Sequence, residues 1–460
     1  RHALSVTATA MPSPRIDLLD PLEIIETHLT EALCESVFAE RRITERRRLW
    51  TLHRMAEFWT AVILRAPKSL RQALDEAYQG VGGFPHVKAT PEAFFARAQG
   101  MRWVFFADVL ERFTDAVAQD CPVTFEEQFH DRLASFSGVW AVDGSCLDRV
   151  AHRLKVLHDS SLVVLPGSIL ALYDLFRGIP RRLLFCEQAK RGEVPQLREV
   201  LDDVPTGTLL IADRAYCSHV LFGELSEHGV FALVRCTQAI GLEHIERLSR
   251  RRHKGGALLD TVVVAGTPQR KSQQQRLRLI EWKKGSTHVR LLTNVLDPER
   301  LCAKDAVDLY RRRWTVERMF YDLKEVLDLH RFYAANVNAV AMQVHAAALV
   351  YVALRVAQAR IASRWRLPPE RLSVEKLFPR VAVAHQGYVA VRLAFHATQE
   401  ANPEVRLKEP DWRQQPFASV ALRSVLVEPR RGERRRWRPP NGQHASLHQF
   451  KETPDDDGLT

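Results

Sequence analysis

The sequence predicts an α/β fold: a mixed sheet with a mainly β insertion, flanked by helical N- and C-terminal regions. Three observations predict it. Between Val139 and Val234, apolar runs of strand length alternate with turn and helix signals. Between Cys236 and Leu301, segments of alternating polarity follow one another without a helical period. The stretches before and after carry the three-to-four-residue spacing of amphipathic or buried helices.

Residues from about Asp20 to Gln79 read as helices, with Arg41, Arg42, Arg46, Arg47 and Arg48 forming a basic helical block before Leu49 and Trp50. Two readings of that block are open: phosphate contact on duplex DNA, or a solvated arginine face. Gly80-Val81-Gly82-Gly83 is a flexible break; it lacks the Lys-Ser/Thr of a phosphate loop. Thr90-Pro91 then reads as an N-cap with proline in the first turn. In the α/β part, strands are expected at Val139–Val142, Ser168–Phe176 and Arg182–Phe185, the last two joined through Arg177-Gly178-Ile179-Pro180. A helix at Val194–Asp203, a strand at Thr208–Ala212, a helix after Tyr216 and a strand at Val230–Val234 complete the order.

The insertion carries the basic run Arg250–Lys254, strand-like Thr261–Val264, Gln275–Trp282, a Lys283-Lys284-Gly285 turn and His288–Val295. A helix over Asp305–Asp328 follows, then a long apolar helix over Asn338–Arg364 and further helices to about Glu400, expected to pack or dimerise. The arginine-rich tail from Pro429 reads as disordered unless nucleic acid orders it. The expected division is 1–135 (helical, DNA-end binding), 136–236 (sheet, first part), 237–300 (insertion), 301–332 (helix completing the sheet domain), 333–428 (helical, dimerisation) and 429–460 (basic tail).

The 66 basic and 55 acidic residues leave a net charge of +11, which suits a polyanionic partner. Seven scattered cysteines without a CxxC pair indicate neither a disulfide framework nor a zinc cluster, and a reducing cytosol is expected. The longest uninterrupted apolar run near the C-terminal half, Ala346–Leu354, falls short of the roughly 20 residues of a spanning helix, so no membrane span is expected. The sequence starts at Arg1 without a methionine and is read as trimmed or incomplete, with no segment resembling a signal peptide.

Chemistry concentrates on Asp305–Asp328. At about 100° per residue, Tyr310, Arg313, Glu317 and Lys324 share an arc of roughly 60°, beside an apolar stripe of Leu309, Val316, Phe320, Leu323 and Leu327. A lone glutamate among cations on a helix is ordinarily a solvated ion-pair face. Two further carboxylates change that reading: Asp143 follows the run Val139–Val142, and Asp213 follows Thr208–Ala212, so each is expected to end a buried strand. Tyr321 and Asp328 fall on the same face and are read as structural.

Tyr310, Arg313, Glu317 and Lys324 at this spacing, preceded by Val142-Asp143-Gly144 and Asp213-Arg214-Ala215-Tyr216, resemble the signature and the first two acidic motifs of DDE transposases of the insertion-sequence-four family. The resemblance extends from about Val139 to Leu329. It implies an RNase H-like catalytic domain whose first and fourth strands are adjacent, and a site at Asp143, Asp213 and Glu317 for two Mg2+ ions, with Mn2+ able to substitute. It further implies cutting of transposon terminal inverted repeats and joining to target DNA by hydrolysis and transesterification, in a synaptic homodimer within a bacterial or archaeal cytoplasm, at the nucleoid. Arg313 and Lys324 would contact phosphates, and Tyr310 the terminal nucleotide. In such families the insertion can supply an aromatic that stacks on a flipped base; Trp282 is the candidate, against the simpler reading of a tryptophan packed inside a hairpin. The alternatives are a metal-dependent nuclease of the same fold and a catalytically silent DNA-binding derivative.

Overall fold

Strand-forming runs from both the expected core and the insertion join one nine-stranded mixed sheet in the computed structural model, which describes residues 14–427 except 47, 148–166, 189–190, 237–239, 267–273 and 334–335. The basic tail from Pro429 lies outside the described residues.

A short strand β1 (Arg15–Asp17) precedes six helices: α1 (Asp20–His28), α2 (Glu31–Glu40), α3 (Leu52–Arg65), α4 (Leu70–Gln79), α5 (Pro91–Gly100) and α6 (Val104–Asp120). Thr30, Thr51, Ser69 and Thr90 cap α2 to α5 with their hydroxyls, and Pro91 opens α5, as its fixed φ permits. The described residues of the expected basic helical block, Arg41, Arg42, Arg46 and Arg48, lie instead in the loop between α2 and α3. Two of its charges are used internally: Arg41 pairs with Asp108 on α6, and Glu45 takes Arg97 of α5.

The sheet follows with β2 (Val139–Cys146), β3 (Ser168–Asp174), β4 (Ile179–Cys186), α7 (Glu193–Glu199), β5 (Leu209–Ala212), α8 (His219–Glu227) and β6 (Phe231–Arg235). Their spatial order is β4-β3-β2-β5-β6. β2 is antiparallel to β3 and parallel to β5, and β5 is parallel to β6. The first and fourth strands of the unit are therefore neighbours, which is the RNase H-like arrangement.

The insertion forms β7 (Leu242–His253), β8 (Gly256–Ala265), β9 (Gln275–Lys284) and β10 (Thr287–Thr293). It extends the same sheet, because β10 pairs with β6 and the order continues β10-β9-β8-β7. The strand β7 has no apolar alternation to betray it. It is the edge strand, largely exposed, so its charged residues face water on both sides.

The expected helix over Asp305–Asp328 consists of several pieces: α9 (Ala303–Tyr310), a 3-10 turn at Arg311–Arg313, α10 (Trp314–Tyr321) and a π turn at Asp322–Val326. Beyond it, α11 (Val337–Trp365) runs through the centre of the molecule, followed by α12 (Val374–Ala401) and β11 (Ser419–Ala421), which pairs with β1. By length and composition α11 could cross a membrane, contrary to the estimate from Ala346–Leu354 alone. Its most apolar window, of mean hydropathy 1.7, is however 89% buried inside the protein. It is apolar all round because α1, α3, α6 and β4 surround it.

Candidate active site

The pleat of β2 and β5 decides where their acids go. Val139, Ala141, Leu209 and Ile211 pack into the core shared with the helices, while Trp140, Val142, Leu210 and Ala212 pack on the opposite face. Ala141 pairs with Ile211 in parallel register, so two residues further along both chains Asp143 and Asp213 stand level and on the helix-covered face. Asp213 ends β5 as expected. Asp143 does not end β2, which continues to Cys146 against β3; it marks the point beyond which β2 has left β5.

Asp213 caps the short turn Arg214–Tyr216, its Oδ1 accepting the Ala215 N–H at 2.6 Å. That use occupies one oxygen. Asp143 is nearly buried: its Oδ1 accepts the Gly144 N–H, and its Oδ2 accepts Arg313 Nη1 at 3.0 Å. The other guanidinium nitrogen of Arg313, Nη2, lies 2.8 Å from Glu317 Oε1. One arginine thus joins the strand acid to the helix acid. Burial pushes the Asp143 carboxyl up to about 7, Arg313 opposing it and Glu193 and Glu317 adding to it.

Tyr310, Arg313, Glu317 and Lys324 do converge, although not on an ideal α-helix. The tight 3-10 turn before α10 and the wide π turn after it redistribute the rotation. Tyr310 is buried beside Arg313, and burial raises its phenol. Lys324 Nζ donates to Ser145 Oγ at 2.7 Å, so Arg313 and Lys324 meet β2 at successive points, Asp143 and Ser145.

Trp282 is a correction. It is 2% exposed, its indole N–H donates to the His253 carbonyl at 2.9 Å, and Arg311 lies over its ring. No ring face is left for a base, and the packed-hairpin reading holds.

Residues 167–353 match the family model described as transposase DDE domain, a range that holds Asp213 and Glu317 and begins after Asp143. Over that range the chain is similar to a transposase DDE domain. Among relatives, it is 29% identical over 158 residues to a putative transposase, y4zB, of Sinorhizobium fredii, covering 34% of this chain and 44% of that one. It is 27% identical over 148 residues to a probable transposase for the insertion sequence element IS5377 of Geobacillus stearothermophilus, covering 32% and 38%. It is 23% identical over 163 residues to a putative transposase for the element IS4SA of Synechocystis, covering 34% and 44%. The aligned part spans less than half the length of these relatives. A piggyBac transposase synaptic complex with hairpin DNA superposes at a TM-score of 0.38 with 11% identity, covering 88% of this chain and 91% of that one, too remote to bear on function.

DDE chemistry implies divalent metal, and the donor set fits it: carboxylate oxygens set on sheet and helix, with a buried Asp143 that needs a neighbouring cation. As placed, no three His, Cys, Asp or Glu side chains among the described residues are grouped closely enough to hold one ion. Arg313 stands between Asp143 and Glu317 and pairs with both. One further acid stands near Asp143 that the sequence did not single out, Glu193. Its helix was expected to begin at Val194, one residue too late, and the signal was an acid in the first turn of the helix that follows the third strand of the unit.

Proposed function

We propose that this chain is a DNA transposase of the insertion-sequence-four type, which cuts transposon ends and joins them to target DNA. The observation that carries the reading is the Arg313 bridge, which brings Glu317 from a distant helix to the strand acid Asp143 beside Asp213. A nuclease needs the acids. It has no evident need for Tyr310, Arg313 and Lys324 along the same line.

Asp143, Asp213 and Glu317 would hold two Mg2+ ions, or Mn2+ in their place; bound there, such ions activate water and stabilise charge on the phosphate and leaving oxygen. The protein's own groups do the positioning. Asp143 and Asp213 are fixed by paired strands, so their oxygens stay on one level. Arg313, released from the acids, is a bidentate phosphate ligand. Lys324 offers a point charge one step along β2. Tyr310, behind Arg313, limits where that guanidinium can turn and meets the terminal nucleotide. A synaptic homodimer on paired ends and a cytosolic site of action complete the proposal; none of the seven cysteines forms a disulfide, which suits that compartment.

The test is incubation of the purified protein with Mg2+ and a DNA end bearing its terminal inverted repeat. Cleavage and strand transfer are expected from the natural sequence and neither from Asp143→Ala or Glu317→Gln. Undiminished cleavage by either variant would sink the site, and nicking without strand transfer would leave a nuclease.

A further inference from the structure

Gly144 follows Asp143 in β2, and its missing side chain is occupied by another residue. A Cβ at Gly144 would lie 2.5 Å from Oε1 and 2.7 Å from Cδ of Glu193. Its φ is not positive, so the backbone does not call for glycine there; the space does. Glu193 is the first residue of α7 and so brings a carboxylate onto β2 at the position next to Asp143.

A second observation points at the same place. Tyr216, three residues after Asp213, is 1% exposed, and its hydroxyl has no hydrogen-bond partner. It is buried beside Glu193, with Asp143 and Asp213 close by. A buried hydroxyl three residues past Asp213 and a fourth acid against Gly144 therefore stand at the ends of β2 and β5 beside the two strand acids. Glu317 is tied to Arg313 by an ion pair, whereas Glu193 stands in the space left at Gly144 and against Tyr216.

We propose that Glu193 is a fourth acidic residue of this site, supplying oxygen to the divalent ion beside Asp143, with Gly144 and Tyr216 as the residues that position it. The proposal rests on the metal-site reading above. A carboxylate is the right donor for a hard cation, and raising the number of acids from three to four strengthens the site's demand for positive charge. Gly144 is then a specificity device, because any side chain there would push the carboxylate off the strand.

The experiment is Mn2+ titration of the full chain without DNA, followed by calorimetry. Glu193→Gln is expected to bind Mn2+ at least about tenfold more weakly than the natural sequence. Gly144→Ala, which removes no charge and displaces only the flexible Glu193 side chain, is expected to lose a comparable factor. Asp143→Asn serves as the control and should lose binding altogether. Natural affinity in Glu193→Gln or Gly144→Ala, with Asp143→Asn defective, overturns the role of Glu193 and leaves the metal site standing. Natural affinity in Asp143→Asn overturns the metal site itself. Unchanged circular dichroism and unfolding temperature in Glu193→Gln separate lost binding from lost structure.

Discussion

Asp143 and Arg313 show how one pair can be held in tension for use. The Asp143 carboxyl ordinarily titrates near 3.8 and here is pushed up to about 7, burial outweighing the nearby guanidinium. Between those values the folded chain keeps a proton that the unfolded chain gives up. Stability from this group is therefore fully present below the unfolded value and is lost as pH rises towards 7. Asp143→Asn should relieve that loss, raising the unfolding temperature of the metal-free protein by roughly 2–4 °C at pH 8 and by less at pH 5. A variant less stable than the parent at pH 8, read by scanning calorimetry, would contradict the assignment. Arg313 gives a prediction of two opposite signs. Arg313→Ala removes the cation that now joins Asp143 to Glu317, so Mn2+ should bind several-fold more tightly while DNA cleavage falls at least about tenfold. Parallel loss of both would mean that Arg313 only holds the fold together.

At the scale of elements, the inserted strands act as a buttress for the helix that carries Glu317. Arg278 on β9 is fully buried, meets Asp260 on β8 through two nitrogens, and donates to the carbonyls of Val295, Asp297 and Leu301, the segment leading into α9. His253 and Lys254 both reach Asp308 on α9, and Trp282 fixes His253 from behind. Asp260→Asn leaves a buried guanidinium without its counter-charge and should cost about 3–5 kcal/mol in a urea titration. Asp202→Asn, at an exposed pair with His228, should change little. This wiring also explains what could be read in advance. The RNase H-like strands were legible because most are buried on both faces and so rich in apolar residues; Asp213 at the end of β5 followed, while β2 ran on past Asp143 to Cys146 because β3 still pairs with it there. The strand β7 was illegible because an exposed edge has no pattern to impose. The turns at Arg311–Arg313 and Asp322–Val326 were illegible because local hydrogen-bond type answers to tertiary packing; the stripe of Tyr310, Arg313, Glu317 and Lys324 survived because both its cations anchor on β2. Trp282 had two readings by sequence, and only its burial chose between them.

On the scale of the whole molecule, the helices before Phe136 are not a separable DNA-binding unit. Phe58, Trp59 and Phe106 belong to the same continuous core as Val139 and Ala141 of the sheet and Leu309 beside the site, with α11 as its axis. One flank of α11 is covered by α3 and α6 and another by β4, while β1 pairs with β11 far along the chain. Removing residues 1–135 would uncover a helix whose apolar window could otherwise cross a membrane, at about 25 cal/mol for each Å² exposed. A fragment of residues 136–460 is therefore expected to aggregate alone and to become soluble when co-expressed with residues 1–135, the two copurifying without a covalent link. The decisive measurement is size-exclusion chromatography of the fragment. A monodisperse 136–460 that unfolds cooperatively and titrates with Mn2+ would show that the sheet and its acids form an independent domain, and would restore the N-terminal helices to the role of a mobile DNA-end reader. Association through buried apolar surface predicts the opposite, with the N-terminal helices serving first as one wall of the core that holds Glu317 against β2.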